Sequence, residues 1–272
     1  MAIQLIAMDL DGTLLREDHI TVSERNREAL RLAAAKGILL VLASGRTWSL
    51  LRFVSSQVPQ AQYALISNGA AGMNLEREER MFSFDFPEEA WRTMLALLRR
   101  YDAVFETYCD GRSYLERRMA GQFSAKGLPE LFMERLRESL TVVDRLEDVL
   151  EGHSVEKVNA FSVPKQNHEP LLHALQETGL FDISSAIIGN MEINYSGVNK
   201  AAGLRRLCEQ LHVAPENVMA FGDATNDLDM LRWAGWSFAM GNAHPLAKQA
   251  ARYETASNEE DGVAQAIERY AV

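Results

Sequence analysis

Short apolar runs recur along the chain, and each one ends abruptly at small or polar residues. They cover residues 3–8, 38–43, 63–66, 218–221 and 236–240. Strands that are apolar on both faces and alternate with amphipathic segments are typical of a parallel sheet covered by helices. The pattern therefore predicts a doubly wound α/β domain, in which a ligand binds at the carboxyl ends of the strands.

The segments between these runs have the features of helices. Thr21 and Glu24 have the spacing of a capping box, apolar residues follow at helical spacing, and Gly37 is placed to end the helix. A second helix is predicted from about Lys200 to Leu211, where leucines recur at helical spacing. A strand, a helix and a second strand form a right-handed crossover, which is the repeating unit of a doubly wound domain.

The middle of the chain has a different pattern. We predict helices there at 88–100, 128–140 and 169–177, and strands at 103–108, 155–163 and 183–188. This order favours an α+β module with a mixed or antiparallel sheet. Because the parallel-sheet pattern stops before the module and resumes after it, we expect an inserted domain at residues 82–188 and a core domain built from residues 1–81 and 189–272.

The composition excludes some classes of partner. The chain of 272 residues has 28 Lys and Arg against 38 Asp and Glu, which gives a formal net charge of −10. Because this field repels a polyanion, we expect no nucleic-acid partner, whereas local positive charge still suits a small phosphorylated molecule. A hydrophobic fraction of 47% is typical of a folded globular protein.

The sequence has no sign of a targeting segment, and its cysteines and histidines do not indicate a disulfide or a metal site. No apolar run approaches the roughly 18 residues of a membrane-spanning helix, so we expect no membrane partner. The first residues lack the basic segment of a signal peptide, and we therefore expect a cytoplasmic location. The two cysteines, Cys109 and Cys208, form no CxxC pair, and the six histidines have no metal-ligand spacing, so we interpret them as packing or surface residues.

Two acids follow the first apolar run directly. Asp9 and Asp11 are separated by one leucine and followed by Gly12 and Thr13. Because successive side chains of an extended chain alternate, we expect the two carboxylates to project to the same side at the end of the strand. Such a pair suits phosphoryl transfer, with Asp9 as a nucleophile that forms an aspartyl-phosphate and Asp11 as the general acid and base.

Two other interpretations of this segment use the same residues. Asp-Gly is a turn dipeptide, so both acids also fit the role of solvated turn residues. A calcium loop begins Asp-x-Asp as well, but it needs Gly at its sixth position and Glu at its twelfth. Here Gly12 is the fourth residue and Ile20 is the twelfth, which makes calcium a poor candidate.

A second acidic cluster follows another apolar run. Asp223, Asn226 and Asp227 lie between the predicted strand at 218–221 and a helical segment. If this strand lies beside the first one, Asp223 meets the first acidic pair across the crevice, where carboxylates, waters and a substrate phosphate suit Mg²⁺. The alternative is that Asp223 and Asp227 cap the helix that follows, where acids are favoured.

Two further segments offer groups that bind phosphate. Ser44, Gly45 and Arg46 follow the second strand and supply a hydroxyl, a backbone N–H that a ligand can approach closely, and a guanidinium. Lys200 opens a helix, where its charge opposes the helix dipole, and neutralising a phosphate or Asp9 would explain that position. A solvated strand-to-helix turn and a surface lysine are the structural alternatives.

Taken together, these four segments resemble the motifs of the haloacid dehalogenase superfamily of phosphatases. The first motif, DxDG[TV], matches residues 9–13, the second matches residues 44–46, the third is Lys200, and the fourth, GDxxND, matches residues 222–227. Smaller matches at 67–70, 239–243 and 258–264 resemble the Cof-like sugar-phosphatase branch, which has a type IIB cap. This branch carries its cap between the second and third motifs, where we place the inserted domain.

The resemblance implies a Rossmann-like core, an α+β cap that selects the substrate, and a role for each acid. Asp9 is implied to be the nucleophile and Asp11 the general acid and base. Mg²⁺ would be held by the Asp9 carboxylate, the Asp11 backbone carbonyl and Asp223, and Asp227 would orient the shell of the metal.

The resemblance also implies a set of residues around the phosphoryl group. They are the backbone N–H of Leu10, together with Ser44, Gly45, Lys200 and Asn226, and, as further site residues in this branch, Arg46 and Asn68. Thr13 would steady the loop. On the cap side facing the site we place Tyr108, Asp110, Glu192 and Asn194.

The function implied is that of a Mg²⁺-dependent phosphatase of small phosphorylated metabolites, with sugar phosphates as the expected substrates. Two alternatives stay open: a phosphomutase that returns the phosphoryl group to a sugar, and a non-catalytic phospho-aspartate signalling module. Signalling modules of this kind are about 100–150 residues long and have no cap, so the insertion argues against the second alternative. We expect a monomer or a small homo-oligomer.

Overall fold

The computed structural model describes residues 2–122, 129–184 and 190–272. Its strands, in chain order, are β1 (Leu5–Met8), β2 (Leu39–Ala43), β3 (Tyr63–Ile66), β4 (Ala71–Asn74), β5 (Glu79–Ser83), β6 (Val104–Cys109), β7 (Arg112–Glu116), β8 (Leu140–Val143), β9 (Val155–Ser162), β10 (Phe181–Ser184), β11 (Met191–Tyr195), β12 (Val218–Gly222), β13 (Trp236–Ala239) and β14 (Tyr253–Glu254).

The α-helices of the described residues are α1 (Glu24–Ala35), α2 (Trp48–Ser55), α3 (Glu88–Arg100), α4 (Arg117–Ala120), α5 (Glu130–Ser139), α6 (Glu147–Leu150), α7 (Lys165–Glu177), α8 (Lys200–Leu211), α9 (Leu228–Trp233), α10 (Pro245–Ala250) and α11 (Gly262–Tyr270). Short helical turns occur at Leu10–Leu14, Ser67–Gly69, Pro215–Asn217 and Thr225–Asp227. No helix in the described part of the chain is both long and apolar enough to cross a membrane.

The described strands form two sheets, of which the larger has the order β14-β13-β12-β1-β2-β3-β4-β5. Its strands from β14 to β3 are parallel, and β4 and β5 add an antiparallel edge. Leu5 of β1 pairs with Leu39 of β2 on one side and with Val218 of β12 on the other. The predicted α/β class is therefore confirmed, and the strands that precede the two acidic clusters are neighbours.

Both faces of the parallel sheet are buried, as the continuous apolar runs predict. Ile6 and Met8 of β1 belong to one apolar cluster, which the helices α1 and α11 cover. Leu5 and Ala7, on the opposite face of the strand, belong to a second cluster together with Leu204 of α8. This double cover hides the strands and leaves their carboxyl ends as the polar edge of the sheet.

The predicted helices in the core are present, with one difference at an N-terminus. Ser23, and not Thr21, caps α1, because Asn26 N–H donates to Ser23 Oγ at 3.1 Å. The Thr21 hydroxyl instead donates to the Asp18 carboxylate at 2.5 Å, so the predicted capping box is wrong. Helix α8 begins at Lys200 as predicted, with Asn199 Oδ1 accepting from Ala202 N–H at 2.9 Å.

The second sheet has the order β10-β11-β9-β6-β7-β8 and two different faces. One face packs into an apolar cluster with residues of α3 and α7, such as Trp91 and Leu171. Buried polar residues of its strands, among them Lys157 and Asn194, donate instead to the loops of the first sheet, to the carbonyls of Gly45 and Ser67. The second sheet thus lies over the carboxyl ends of the parallel strands.

The predicted module boundaries at 82 and 188 differ from the boundaries between the two sheets. Residues 82 and 83 belong to β5 of the first sheet, and β11 pairs with β9 and β10 in the second. Apolar and polar residues alternate in β11, which suits a strand with one polar face, but five residues are too few to assign it to a sheet. The predicted helix at 128–140 begins at Glu130, and residues 128 and 185–188 of the predicted elements lie outside the described residues.

A pair of glycines with left-handed backbone tests how tightly the turn after β3 is packed. A Cβ on Gly69 (φ +85°) would lie 2.5 Å from the Asn199 carbonyl oxygen, whereas a Cβ on Gly37 (φ +80°) meets nothing within 4 Å. We expect Gly37→Ala to lower the free energy of unfolding by about 1 kcal/mol, from backbone strain alone. Gly69→Ala should cost about 2 kcal/mol more because of the added clash. Equal losses of unfolding free energy in the two variants, measured by denaturant unfolding, would contradict the close packing of Gly69 against Asn199.

Candidate active site

Asp9 lies at the end of β1, where the backbone leaves the strand and enters a tight turn. The turn is closed by the Leu14 N–H, which donates to the Asp9 carbonyl at 3.2 Å, and by the Leu15 N–H, which donates to the Leu10 carbonyl at 2.9 Å. Gly12 has φ +78°, and a Cβ there would lie 2.4 Å from Asp223 Oδ2, so only glycine fits.

This turn removes the basis of the strand-alternation argument for the two acids, and their projection to one side stays a prediction. The strand ends at Met8, and residues from Leu10 onward follow the turn, so the period of two does not extend to Asp11. The carboxylates of Asp9 and Asp11 consequently have different partners. Asp9 contacts Lys200, and Asp11 contacts Arg46 and His19.

Three carboxylates meet around the end of β1. Oxygens of Asp9, Asp223 and Asp227 lie within 4.8 Å of one another. Lys200 Nζ donates to Asp9 Oδ1 at 2.5 Å and to Asp227 Oδ1 at 2.7 Å, and the Lys200 side chain is 0% exposed. The side chain of Asp11 is not a member of this cluster, and the ligand role of its backbone carbonyl stays a prediction.

The electrostatics of the cluster favour an added cation. Burial, and then the charge of Asp227, raise the pKa of Asp9 well above its ordinary value, although Lys200 opposes this shift. Burial and Asp227 likewise raise the pKa of Asp223 to about 7. Burial alone would lower the pKa of Lys200, but the carboxylates of Asp227 and Asp9 outweigh it and raise that pKa. Three acids against one lysine leave a negative charge that a divalent cation bound by oxygen ligands would neutralise.

The fourth motif combines two of the predicted alternatives. Asp227 Oδ2 accepts from the N–H groups of Asp223 and Ala224, both at 3.0 Å, so Asp227 does cap its own turn. Its other oxygen is the one that pairs with Lys200. Asp223 Oδ1 instead accepts the Thr13 hydroxyl at 2.8 Å, which ties the first-motif turn to the fourth motif. Asp227 therefore caps its own turn, and both Asp223 and Asp227 belong to the carboxylate cluster around Asp9.

Asp11 is fixed by a guanidinium and an imidazole. Arg46 Nε donates to Asp11 Oδ2 at 2.9 Å, and a second Arg46 nitrogen and His19 Nδ1 contact Oδ1. Partial burial alone would raise the pKa of Asp11, but the charge of Arg46 and the hydrogen bonds from His19 and Arg46 lower it below its ordinary value. Arg46, predicted at the phosphate, thus contacts the second acid, and His19 contacts the same carboxylate.

The other predicted phosphate residues lie in the loops beside the acids. Ser44 is buried at the end of β2, and its carbonyl accepts the Asn68 N–H at 3.0 Å. Asn68, in left-handed backbone at φ 60°, accepts the Asn226 amide N–H on its Oδ1 at 3.2 Å. Leu10 packs its side chain in the core, and the phosphate-binding role of its backbone N–H stays a prediction.

The second sheet adds a buried ion pair above these loops. Lys157 Nζ donates to Glu192 Oε1 and to the Gly45 carbonyl, each at 2.6 Å, and Lys157 is 1% exposed. Glu192 Oε2 accepts from Asn68 Nδ2 at 3.0 Å. A Cβ on Gly45 would lie 2.9 Å from Asn68 Oδ1 and 3.2 Å from both Lys157 Nζ and Glu192 Oε1, so a side chain there would push against these polar groups.

The four residues predicted on the cap side fall into two groups. Glu192 and Asn194 contact Asn68 directly, and the Tyr108 ring lies 4.8 Å from Lys157 Nζ. Asp110 is exposed and hydrogen-bonds to His153 and Ser154, so its contacts are away from these loops.

Sequence reasoning missed several polar residues near the site, among them Lys157, Glu106 and His19. The one local signal for Lys157 is a charged residue inside the strand predicted at 155–163, between Glu156 and Val158. Glu106, which is 0% exposed and accepts from Tyr108 and Asn159, carries the same signal in β6. His19 has no local signal, because its partner is eight positions away around a turn.

Comparison with known proteins agrees with the fold and with the motifs. The family model described as haloacid dehalogenase-like hydrolase matches residues 6–267. The 5-amino-6-(5-phospho-D-ribitylamino)uracil phosphatase YcsE of Bacillus subtilis is 30% identical over 98% of this chain and 96% of its own. The structure of a haloacid dehalogenase-like hydrolase from B. subtilis has a TM-score of 0.86 at 25% identity, covering 98% of this chain and 99% of its own.

A third comparison concerns the fold. A haloacid dehalogenase subclass IIB sugar phosphatase has the same fold, with a TM-score of 0.83 at 22% identity, over 98% of this chain and 98% of its own. The motifs, the order of the strands and the match along nearly the whole chain lead to the same assignment. The chain belongs to the haloacid dehalogenase-like hydrolase family.

Proposed function

We propose that the protein is a Mg²⁺-dependent phosphatase that hydrolyses small phosphorylated metabolites through an aspartyl-phosphate on Asp9. The observation that carries this proposal is the cluster at the end of β1, where oxygens of three acids lie within 4.8 Å of one another and a buried lysine donates to two of them. Asp9, Asp223 and Asp227 would hold the ion, which supplies positive charge beside the transferring phosphoryl group.

The two oxygens of Asp9 divide the roles of binding and attack. Among the described residues, the hydrogen bonds to this carboxylate reach Oδ1, where Lys200 donates. Oδ2 is therefore the oxygen that attacks phosphorus as the bond from phosphorus to the leaving oxygen breaks. The Lys200 charge and the donors of Ser44, Gly45 and Asn226 would stabilise the negative charge of the phosphoryl oxygens during transfer.

Asp11 serves both steps of the reaction. In the first step it gives a proton to the leaving oxygen, and in the second it takes a proton from the water that attacks the aspartyl-phosphate. The second step releases phosphate and restores the Asp9 carboxylate. Arg46 and His19 keep Asp11 ionised, which is the form for the second step, and an anionic phosphoryl group nearby raises the pKa of Asp11 for the first.

We further propose that the second sheet and its helices form the cap over the site and choose the leaving group. Its polar face presents carboxylate, amide and ammonium groups, including Glu192, Asn194 and Lys157. Such groups bind hydroxyls by hydrogen bonds and suit a sugar or polyol chain. This agrees with the relatives from Bacillus subtilis and Escherichia coli that are named phosphatases of a phosphoribityl compound, at 30% and 28% identity.

Replacing the nucleophile tests the reaction itself. Asp9→Asn keeps the shape of the side chain but removes the attacking oxygen, so phosphate release from p-nitrophenyl phosphate should fall by about 10³-fold or more. Asp144→Asn, the same change at an exposed cap residue, should leave the rate unchanged. Retention of more than about a tenth of the rate by Asp9→Asn would contradict the proposal, since loss of a nucleophile costs far more. A sugar phosphate isomerised without release of phosphate would show a phosphomutase.

Metal binding has a readout that does not depend on activity. With Mg²⁺ about a hundredfold above its Kd, the melting temperature should rise by about 5 °C, because the ion binds only the folded site. Asp223→Asn should lose this rise, whereas Asp229→Asn, which changes an exposed acid on α9, should keep it. An equal rise in both variants would place the ion elsewhere.

A substrate panel tests the proposed leaving group. We expect kcat/KM to be highest for phosphorylated sugars and for 5-amino-6-(5-phospho-D-ribitylamino)uracil, because their hydroxyls match the polar face of the second sheet. Nucleoside monophosphates and phosphoamino acids should be poorer substrates by about 10-fold or more, which corresponds to one or two lost hydrogen bonds. All kcat/KM values would be measured as phosphate release at one Mg²⁺ concentration. Equal values for all substrates would contradict the proposal that the polar face of the second sheet selects the leaving group.

A further inference from the structure

In the proposed reaction His19 helps to keep Asp11 ionised, and its contact with Asp11 also bears on the position of the carboxylate. His19 Nδ1 lies 2.8 Å from Asp11 Oδ1. An ionised carboxylate only accepts hydrogen bonds, so Nδ1 of His19 carries the proton in this contact. The Asp11 side chain is 35% exposed, and its position is therefore set by hydrogen bonds more than by packing.

These contacts decide which oxygen of Asp11 faces the reaction. Among the described residues, Oδ1 takes two donors, from His19 and Arg46, and Oδ2 takes one, from Arg46 Nε. A carboxylate has about four acceptor positions, so the unused one is on Oδ2. Oδ2 is then the atom that exchanges a proton with the leaving oxygen and with water. The carboxylate cannot rotate without breaking these three hydrogen bonds.

His19 is itself held in place from two sides. Its backbone is left-handed, at φ 59°, a conformation that costs energy for a residue with a side chain. Its carbonyl accepts from Arg46 at 2.7 Å, so one guanidinium holds both Asp11 and the backbone of His19.

Phe132, on helix α5 beside the second sheet, covers both the His19 ring and the Arg46 guanidinium. The Phe132 ring lies 5.3 Å from the His19 ring, and the Arg46 guanidinium lies 4.9 Å from the centre of the same ring. Phe132 is on α5, is 7% exposed, and packs with Leu50 of α2 in a small apolar cluster. Attraction between a cation and an aromatic face favours this stacked arrangement over a free arginine.

We propose that His19 is a positioning residue for Asp11 and that Phe132 of α5 holds His19 and Arg46 in place. This inference rests on the proposed function, because it assigns the two residues to the proton transfer that Asp11 performs. The loss of activity on replacing His19 or Phe132 must therefore depend on the leaving group of the substrate. An alkoxide leaving from a sugar phosphate needs a proton from Asp11, whereas p-nitrophenolate is stable without one.

Two variants of His19 separate positioning from folding. His19→Gly removes the ring at a left-handed position that suits glycine, and His19→Asn keeps an N–H group at the δ position and tolerates that backbone. We would measure kcat/KM for ribose 5-phosphate, or for the best sugar phosphate of the panel, and for p-nitrophenyl phosphate. These values report the steps up to departure of the leaving group.

The expected result is a loss confined to the poor leaving group. His19→Gly should lower kcat/KM for the sugar phosphate by about 10-fold, a part of the 10²–10⁴ that a general acid contributes, and for p-nitrophenyl phosphate by less than about 3-fold. His19→Asn should restore most of the loss. His153→Ala is a matched control, because His153 makes the same Nδ1 contact to an exposed carboxylate, Asp110, at 2.7 Å.

Phe132 has its own matched control on the same pair of helices. Phe132→Leu keeps the apolar packing against α2 but removes the ring under Arg46, and it should change the ratio of the two kcat/KM values in the same direction, by about 3-fold. Phe53→Leu removes an equivalent contact between α2 and α5, since the Arg135 guanidinium lies 4.9 Å from the Phe53 ring. It should leave the ratio unchanged.

Several results would overturn the inference. They are an equal loss on both substrates, no loss on either, or an asparagine variant as impaired as the glycine variant. If His19→Gly does not fold, as judged by thermal unfolding, the asparagine and Phe132 variants decide the question. Failure of the proposed function is distinguishable, because it shows as a wild-type protein without hydrolysis or as full activity of Asp9→Asn.

Discussion

The arrangement of the site depends on one buried lysine between two carboxylates. Lys200 is fully buried and pairs with Asp9 and Asp227, which follow the neighbouring strands β1 and β12. Removing one partner of a buried ion pair costs about 3–5 kcal/mol, because it leaves an uncompensated charge. The lysine must therefore reach the same point as both acids, and the packing of α8 provides this. A Cβ on Gly203 of α8 would lie 2.7 Å from the Gly69 carbonyl, so the helix approaches the turn after β3 as closely as glycine allows.

The two acids of the first motif differ because their surroundings differ. Burial among other carboxylates raises the pKa of Asp9, while Arg46 and His19 lower that of Asp11. Opposite shifts in two carboxylates two residues apart are the usual means of giving them different roles in catalysis. The cation partner of Asp9 is fixed inside the core, whereas the partners of Asp11 are covered by α5. Any movement of α5 would therefore change the surroundings of Asp11 first.

The sequence predicted the parts of the molecule that depend on local patterns. Apolar runs ending in polar residues predict the parallel sheet, and the neighbours β1 and β12 bring the acids around Asp9 and Asp223 together as expected. The contact of Arg46 with Asp11 was not predictable, because it depends on a turn that ends the strand at Met8. Lys157 and Glu192 were not predictable as a pair, since their contact requires the register of β9 and β11. β11 lies in the stretch 189–272 that we assigned to the core domain, yet it pairs with β9 and β10, and its five residues were too few to indicate this pairing.

The most direct test of the account is to trap the covalent intermediate. We would mix the Mg²⁺-loaded protein with excess p-nitrophenyl phosphate, quench it in acid within the first turnovers, and locate the phosphoryl group by peptide mass spectrometry. The account predicts a phosphoryl group on Asp9, in an amount that decays when the substrate is exhausted, and none on the Asp9→Asn variant. Steady hydrolysis with a phosphoryl group on any other residue, or a label that persists without turnover, would contradict it.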